Sequence, residues 1–282
     1  MDRRAGLCLM RLLFIGDVVG RAGRAALLAH TPALRARWRL DLVIANGENA
    51  AGGFGVTEAI CAEFFAAGVD AITLGNHAFD QREALAFIDR QPRLLRPANY
   101  PKGAPGRGAG LIETAGGAKA LVINLMGRVF MDPLDDPFQR VEEELALCPL
   151  GVGCDACVVD FHAEATSEKQ AFGYFVDGRV SLVACTHTHV PTADARILPG
   201  GAAFVTDVGM TGDYESVIGM AKEEPLRRFT RHIPSGRFEP ALGAATLCGV
   251  AVETGPDGLA RRIAPLRLGG ALAPAEPDFW ND

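Results

Sequence analysis

Several signals that would assign a function at once are missing from this chain of 282 residues. It contains no dense block of lysine and arginine, and its net charge is −6, so a long nucleic-acid-binding groove is not expected. No apolar run approaches the ~18 residues that a membrane-spanning helix needs, so no membrane partner is expected. The glycine-rich segment 52–55 lacks the phosphate-binding spacings of nucleotide sites. A small phosphorylated ligand stays open, provided that metal ions supply the positive charge.

A disulfide framework is also missing, since the seven cysteines are odd in number and irregularly spaced. Several lie within apolar runs, which is typical of reduced, buried thiols and predicts a cytoplasmic protein. Residues 1–9 superficially resemble the start of a signal peptide, but Arg11 interrupts the apolar run and no small-residue cleavage site follows. We therefore expect a disordered leader or a misassigned start at 1–9, a single domain at 10–268 and a C-terminal tail at 269–282.

What the sequence does have is a hydrophobic fraction of 49% and an alternation of strand and helix patterns. Apolar runs predict strands at 12–15, 41–45, 69–74, 156–161 and 180–185. Helices are predicted at 57–67, 81–89, 138–147 and 21–38, the last with Pro32 as a kink or break. Hairpins are predicted from 108–114 with 118–125 and from 247–253 with 259–268. The alternation is typical of parallel βαβ units and predicts an α/β fold of two packed sheets, the first mainly parallel, flanked by helices.

Polar side chains follow five of the predicted strands at the point where each strand ends. They are Asp17, Glu48 with Asn49, Asn76 with His77, His162, and His187 with His189. In open α/β sheets, ligands collect at the carboxyl ends of the strands, so we expect these side chains to meet at one rim. Oxygen and imidazole ligands without thiolate suit Mn, Fe or Zn. A pair of such ions is a common device for hydrolysing phosphate esters, so the pattern predicts a two-metal site.

Each motif alone also has a structural interpretation that needs no metal. Asp17 could cap a helix, Glu48 could belong to a polar loop, and a buried histidine can simply be hydrogen-bonded. His187 and His189 are two residues apart and would share one face of an extended segment. His77 is placed to protonate a leaving oxygen, and the alternative is a solvated turn. The consistent order of all these groups at strand ends favours the metal site.

Three further features carry narrower hypotheses. Asp160 and Glu164 are candidates to orient His162, with loop polarity as the alternative. Ser167 fits the start of a capping box and predicts a short helix after it. Asp207 and Asp213 flank a glycine-rich stretch that could shape a pocket, although ordinary loop chemistry is the favoured explanation.

Longer motifs make a family resemblance specific. They are Arg11-Leu-Leu-Phe-Ile-Gly-Asp-Val-Val-Gly20, Asn46-Gly-Glu-Asn-Ala-Ala51, Asp160-Phe-His-Ala-Glu-Ala-Thr-Ser-Glu-Lys169, Thr186-His-Thr-His-Val-Pro-Thr192 and Thr206-Asp-Val-Gly-Met-Thr-Gly212. These segments, with Gly75-Asn76-His77, resemble the calcineurin-like metallophosphoesterase superfamily and, within it, the bacterial YmdB-like branch. The resemblance runs from Met10 to about residue 268.

The resemblance implies a calcineurin-like metallophosphoesterase fold, in which a pair of packed β-sheets is flanked by helices as an α/β/β/α sandwich. It implies one divalent metal held by Asp17, Glu48, Asn49 and His189, and a second held by Glu48, Asn76, His162 and His187. It also implies attack on phosphorus by a metal-bridging hydroxide, with His77 as the general acid that also contacts substrate beside Asn76. The branch is associated with phosphodiesterase activity, including on 2′,3′-cyclic nucleotides, and with homo-oligomers.

The chain departs from the wider superfamily pattern at three positions. Val19 stands where most members carry the histidine of an Asp-x-His motif. Glu48 takes the bridging role that is usually held by aspartate, as it does in the YmdB-like branch. Cys185 stands where glycine is expected before Thr-His-Thr-His, and a positive φ at that residue would be strained.

Two other functions stay open. A phosphomonoesterase or nucleotidase would use the same metal chemistry, and a comparison of monoester with diester substrates would separate them. A metal-stabilised regulatory or RNA-associated scaffold would keep its biological role when His77 is replaced. The complete set of candidate ligands favours a phosphodiesterase that acts on a small phosphodiester or a cyclic nucleotide.

Overall fold

The computed structural model describes residues 9–280. The expected leader therefore lies outside the described residues, apart from the exposed Leu9. The strands are β1 (Arg11–Ile15), β2 (Leu42–Asn46), β3 (Ala71–Thr73), β4 (Leu94–Leu95), β5 (Ala109–Glu113), β6 (Lys119–Met126), β7 (Ala156–His162), β8 (Leu182–Thr186), β9 (Arg196–Ile197), β10 (Ala203–Val205), β11 (Gly212–Asp213), β12 (Ala245–Thr254) and β13 (Ala260–Leu268). The helices are α1 (Gly20–Trp38), α2 (Glu58–Ala66), α3 (Ala84–Phe87), α4 (Pro137–Leu147), α5 (Thr166–Val176) and α6 (Glu223–Arg231).

These strands form two sheets. The first has the order β11-β12-β1-β2-β3-β4, with β13 paired to β12, and its strands β1 to β4 are parallel. The second has the order β5-β6-β7-β8-β10-β9, and its strands β6, β7, β8 and β10 are parallel. The expectation of a mainly parallel first sheet is wrong, because the C-terminal hairpin adds β12 antiparallel to β1 and makes the sheet mixed.

Three buried apolar layers join the sheets and the helices. Between the sheets, Phe14 of the first and Val158 of the second belong to one buried cluster. On the outer face of the first sheet, a second cluster includes the fully buried Phe64 of α2. On the outer face of the second sheet, Phe161 stacks on Phe172 of α5 with ring centroids 4.1 Å apart. Because alternate strand residues point to opposite faces, each sheet serves two layers, and the predicted α/β/β/α sandwich is confirmed.

Pro32 does not break the first helix, since α1 runs through it to Trp38. Proline removes one backbone hydrogen bond and strains the turn before it. Leu27 and Leu34, on either side of the proline, are both buried against the first sheet. This packing stabilises the helix on both sides of the proline, and tertiary contacts outweigh the local preference.

The capping box predicted at Ser167 is also wrong. Helix α5 begins one residue earlier, and the residue before it, Ala165, has no side chain that could cap it. The carboxylate of Glu168, in the first turn, accepts hydrogen bonds from the backbone N–H groups of Arg128 and Val129, at 2.9 and 3.1 Å. The start of α5 is therefore tied to the loop after β6, 40 residues away in the chain.

Other differences are confined to element length. The helix predicted at 81–89 is split into α3 and a 3-10 turn, Ile88–Arg90. The two-residue strands β4 and β11 are too short to give a period-2 pattern, which explains why the sequence did not resolve them.

The C-terminal segment packs against the sandwich. The ring of Trp280 is almost fully buried and lies 5.7 Å from that of Trp38, and its Nε1 donates to Glu253 at 3.1 Å. Among residues 9–280, no helix is both long and apolar enough to cross a membrane.

Candidate metal centre

The carboxyl ends of β1, β2 and β3 meet those of β7 and β8 at one rim of the sandwich. All the strand-end residues singled out in the sequence lie in this region. Glu48, His162 and His187 form one cluster, and Asp17, Glu48 and His189 form another. Within each cluster, the candidate ligand atoms lie within 4.8 Å of one another. Glu48 belongs to both clusters, which is the arrangement that a shared ligand between two ions requires.

The two asparagines lie at the edges of these clusters. Asn76 Oδ1 is 3.0 Å from His162 Nε2. Asn49 is buried, and its amide nitrogen donates to the Gly53 carbonyl at 3.0 Å, which leaves Oδ1 as its free end. Asn76 therefore presents a neutral oxygen to the cluster that contains His162, and Asn49 has a free oxygen beside the cavity that Glu48 and His189 also line.

Two buried polar atoms in this region lack a hydrogen-bond partner among the described residues, and a bound cation would satisfy them. Within residues 9–280, the buried Asp17 Oδ1 and Asn49 Oδ1 have no hydrogen-bond donor. His162 Nε2 lies within 3.1 Å of three possible acceptors, on Glu48, Asn76 and His187. One N–H group cannot serve three acceptors, and buried polar atoms are normally satisfied. Convergent lone pairs of oxygen and nitrogen therefore suit divalent cations of the Mn, Fe or Zn type.

Hydrogen bonds outside the clusters set which nitrogen of each histidine faces inward. The Thr186 hydroxyl donates to Asp160 at 2.7 Å and therefore accepts from His162 Nδ1 at 2.8 Å, so that Nε2 is the nitrogen that can offer a lone pair to an ion. His189 Nδ1 lies 2.7 Å from the Ile218 carbonyl, which leaves Nε2 towards Asp17. Asp160 thus orients His162 as expected, but it does so through a threonine.

Glu164 occupies a different place from the one expected. Its carboxylate lies 3.1 Å from His187 Nε2 and does not contact His162. The opposite nitrogen, His187 Nδ1, faces the cluster. Glu164 is therefore placed to orient His187.

Burial and mutual charge displace the pKa values of these groups. Burial alone would raise the pKa of Glu48, but the neighbouring His162 outweighs it and holds the pKa at about 2. Burial likewise opposes protonation of His162, yet Glu48 and then Asp17 raise its pKa to about 9. Burial, reinforced by the charge of His162, lowers the pKa of His187 to about 3. Burial raises the pKa of Asp17. Mutually dependent charges of this kind are typical of functional sites.

The Thr-His-Thr-His segment is not the extended strand that the spacing suggested. His187 and His189 have φ angles of 100° and 66°, in the region that side chains other than glycine rarely adopt. Thr188 between them is held by Asp207, which accepts from its N–H at 3.0 Å and its hydroxyl at 2.7 Å. The strain expected at Cys185 is absent from the described backbone, since that residue lies in β8 without a positive φ.

A buried ion pair stabilises the Thr-His-Thr-His segment through Asp207, the residue that binds Thr188. Lys169 Nζ lies 2.8 Å from Asp207 Oδ2, and the two side chains are 0% and 1% exposed. Sequence analysis missed Lys169, although it closes the motif that begins at Asp160. The only signal for its role was a lysine within an otherwise apolar helix face.

Gly75 and His77 complete the rim. A Cβ atom at Gly75 would collide with the Glu48 carboxylate and the His162 ring, so only glycine fits there. His77 belongs to neither cluster formed by the described residues. Its Nδ1 lies 2.8 Å from Asp80, and its ring meets Phe54 edge-on at 5.0 Å. Asp80 was not predicted from the sequence, although it lies three residues after His77.

A cavity of about 310 Å³ opens beside the clusters. Glu48, Asn49, His77, His187 and His189 line its inner side. The general-acid candidate and ligands of both clusters therefore face the same space, in which a substrate could reach all of them.

Comparisons with known proteins extend over most of the chain. A family model described as "YmdB-like protein" matches residues 13–266. The chain is 49% identical over 244 residues to the 2′,3′-cyclic-nucleotide 2′-phosphodiesterase of Bacillus subtilis (strain 168), with 86% of this chain and 91% of that protein covered. A hypothetical protein from Thermus thermophilus has a similar structure, with a TM-score of 0.85, 44% identity, and coverage of 93% of this chain and 100% of the other. A Mycoplasma pneumoniae structure described as a novel phosphatase gives a TM-score of 0.85 at 34% identity, and covers 97% of this chain and 96% of its own.

Proposed function

Since this chain belongs to the YmdB-like family, we infer that it is a hydrolytic phosphoesterase, and we propose that it hydrolyses small phosphodiesters, specifically 2′,3′-cyclic nucleotides. The observation that carries the proposal is the pair of ligand clusters sharing Glu48 beside a cavity that also contains His77. The relative from Bacillus subtilis, which is named for this substrate class, supports the choice of substrate.

We assign Asp17, Glu48, Asn49 and His189 to one divalent ion, and Glu48, Asn76, His162 and His187 to the other. The ligand types favour Mn or Fe and are compatible with Zn. When bound, such ions neutralise phosphate charge and lower the pKa of water to about 7. The protein's part is to fix the ligand atoms through Thr186, Glu164 and the Ile218 carbonyl.

His77 is proposed to protonate the leaving alkoxide. Asp80 accepts from Nδ1 and so leaves Nε2 as the atom that can deliver a proton. Phe54 packs against the ring and limits its rotation. In a 2′,3′-cyclic nucleotide the leaving group is a ribose hydroxyl oxygen, which is a poor leaving group unless it is protonated.

The cavity favours a diester over a monoester. Arg228 is the only lysine or arginine among the described residues that line it, and its Nε is already bound to Glu224 at 2.7 Å. A monoester dianion carries more charge than a diester and gains more from additional cationic side chains. The phosphomonoesterase alternative therefore ranks second.

The test is hydrolysis of 2′,3′-cyclic AMP by chelator-stripped protein, with Mn²⁺ added back, for the wild type and His77→Ala. We expect activity only with metal, and a loss of about 10²- to 10⁴-fold in the variant, the usual contribution of a general acid. His30→Ala, on α1, is the matched control. Faster hydrolysis of 2′-AMP than of the cyclic diester would instead support the phosphomonoesterase. No turnover with any divalent metal, despite two ions bound per chain, would support the scaffold alternative.

We also propose a cytoplasmic location and a homo-oligomer. The location is supported by free thiols at the six cysteines in residues 9–280, five of them buried. The homo-oligomer follows from the family resemblance, and size-exclusion chromatography with light scattering tests it.

A further inference from the structure

The outer wall of the cavity beside the metal ligands is apolar and aromatic. It is formed by Phe54, Ile218, Met220, Phe229 and Phe238, with Arg228 between the last two. The volume of about 310 Å³ is at the small end of the roughly 300–1,000 Å³ typical of small-molecule pockets. Metal ligands need no apolar wall, so this wall is available to a part of the substrate other than the phosphate.

The wall is connected directly to the metal centre. The Ile218 carbonyl accepts a hydrogen bond from His189 Nδ1 at 2.7 Å. Ile218 has a φ of 48°, which is unusual for a β-branched residue and is held by the backbone hydrogen bonds between Val217 and Met220. On the other side, Phe54 meets the ring of His77. A group bound against this wall is therefore adjacent to both the metal ligands and the proposed acid.

Two aromatic rings of the wall, those of Phe229 and Phe238, are candidates for stacking on a planar ligand group. Arg228 lies over the Phe238 ring at 4.0 Å, and it is fixed there by Glu224 at 2.7 Å and the Gly236 carbonyl at 2.8 Å. Phe229, next in the chain on α6, is 78% exposed and offers an open ring face. Planar aromatic and guanidinium groups in such a position stack on nucleobases.

We propose that this wall binds the nucleobase of the substrate by stacking, with Phe229 and Phe238 as the residues that favour a nucleoside over a diester without a base. The inference rests on the proposed phosphodiesterase function and adds the part of the substrate that is recognised away from phosphorus. Arg228 alone among the described residues of the outer wall has a polar side chain, so there is little to read the edge of a base. Stacking tolerates every base, and we expect the four 2′,3′-cyclic nucleotides to be hydrolysed within about tenfold of one another.

The experiment compares kcat/KM for 2′,3′-cyclic AMP with that for ethylene phosphate, a five-membered cyclic diester without a base. The ratio of the two values isolates the contribution of the nucleoside. We expect the ratio to fall by about 5- to 100-fold in Phe229→Ala and in Phe238→Ala, the usual effect of losing one stacked ring. Phe175→Ala is the matched control, because Phe175 also carries a stacked arginine but lies on α5, outside the cavity lining. Its ratio should stay at the wild-type value.

A second measurement does not depend on turnover. Saturation-transfer NMR with adenosine should show contacts to the base protons in the wild type and in Phe175→Ala, and weak contacts in Phe229→Ala combined with Phe238→Ala. An unchanged kcat/KM ratio in both single variants, or adenosine contacts that persist in the double variant, would overturn the base site while leaving the diesterase intact. If neither diester is hydrolysed, the proposed function fails, and the adenosine spectra alone decide whether the pocket binds a base.

Discussion

His77 Nδ1 lies 2.8 Å from Asp80 Oδ2, one turn further along the same loop. We expect Asp80→Ala to lower kcat for 2′,3′-cyclic AMP by about 10- to 100-fold, because the proposed acid loses the partner that orients it. Hydrolysis of bis-p-nitrophenyl phosphate, whose leaving group needs no proton, should fall much less. Steady-state kinetics on both substrates checks this, with the exposed Asp278→Ala as control. Equal losses on the two substrates would show that Asp80 acts on stability or metal binding instead.

Gly75 leaves room for Glu48 and His162 to approach each other. Gly75→Ala should displace one of these side chains and reduce bound metal below two ions per chain, as measured by elemental analysis after loading with Mn²⁺. Gly116→Ala is the control, because a Cβ atom there meets only the Thr114 side chain at 3.8 Å. Two bound ions per chain in Gly75→Ala would contradict the prediction that a Cβ atom at this position displaces Glu48 or His162.

Lys169→Met tests the buried ion pair behind the Thr-His-Thr-His segment. It leaves Asp207 buried without its cation, which typically costs about 3–5 kcal/mol and should lower Tm by about 10 °C. Lys222→Met removes the exposed ion pair with Glu215 and should change stability by less than ~1 kcal/mol. Thermal unfolding followed by circular dichroism separates the two outcomes. Similar Tm values for both variants would mean that water solvates the Asp207 carboxylate once Lys169 is removed.

Removing metal should destabilise the protein. A ligand present at a hundred times its dissociation constant adds about 2.7 kcal/mol per site, so chelation should lower Tm by about 5–10 °C. The expected difference is largest in the wild type and much smaller in Glu48→Gln, which alters the residue common to both clusters. Differential scanning calorimetry with and without chelator measures it, and a chelator-insensitive Tm would argue against bound ions.

Metal binding should release protons. In the metal-free protein Glu48 raises the pKa of His162 to about 9, and a metal ligand must be the neutral imidazole. Below about pH 9 the ion therefore displaces a proton, and apparent affinity should increase as pH rises towards that value. Calorimetric titrations in buffers of different ionisation enthalpy count the protons. Affinity that is constant from pH 6 to pH 8 would contradict the prediction.

The sequence was sufficient for the parts of the site that local pattern determines. Apolar runs that end in Asp, Glu, Asn or His indicated the strand ends, and parallel packing brings those ends together. The same reasoning failed at His187 and His189, where the backbone leaves the extended conformation because Asp207 holds Thr188 in a turn. Helical pattern predicted the extent of α1 closely but left open whether Pro32 breaks it.

Contacts between segments that are distant in the chain could not be predicted from the sequence, and the reason is physical. Lys169 pairs with a carboxylate 38 residues away, and the outer wall of the cavity depends on a carbonyl 29 residues from His189. Neither pairing produces a periodic pattern. Asp80, in contrast, lies three residues from His77, and its spacing could have been tested as a local hydrogen-bonded pair.

The ligand set is drawn from both sheets, and residues far apart in the chain meet in it. The backbone N–H of His187 lies 3.3 Å from Asp17 Oδ2, although 170 residues separate them. On the ligand assignment proposed above, neither sheet alone supplies a complete set of ligands for either ion. A bound ion would therefore link the two sheets across their interface, and binding would require that both halves of the chain have folded and packed together. Under that assignment, metal content measures the fraction of molecules whose two sheets are docked.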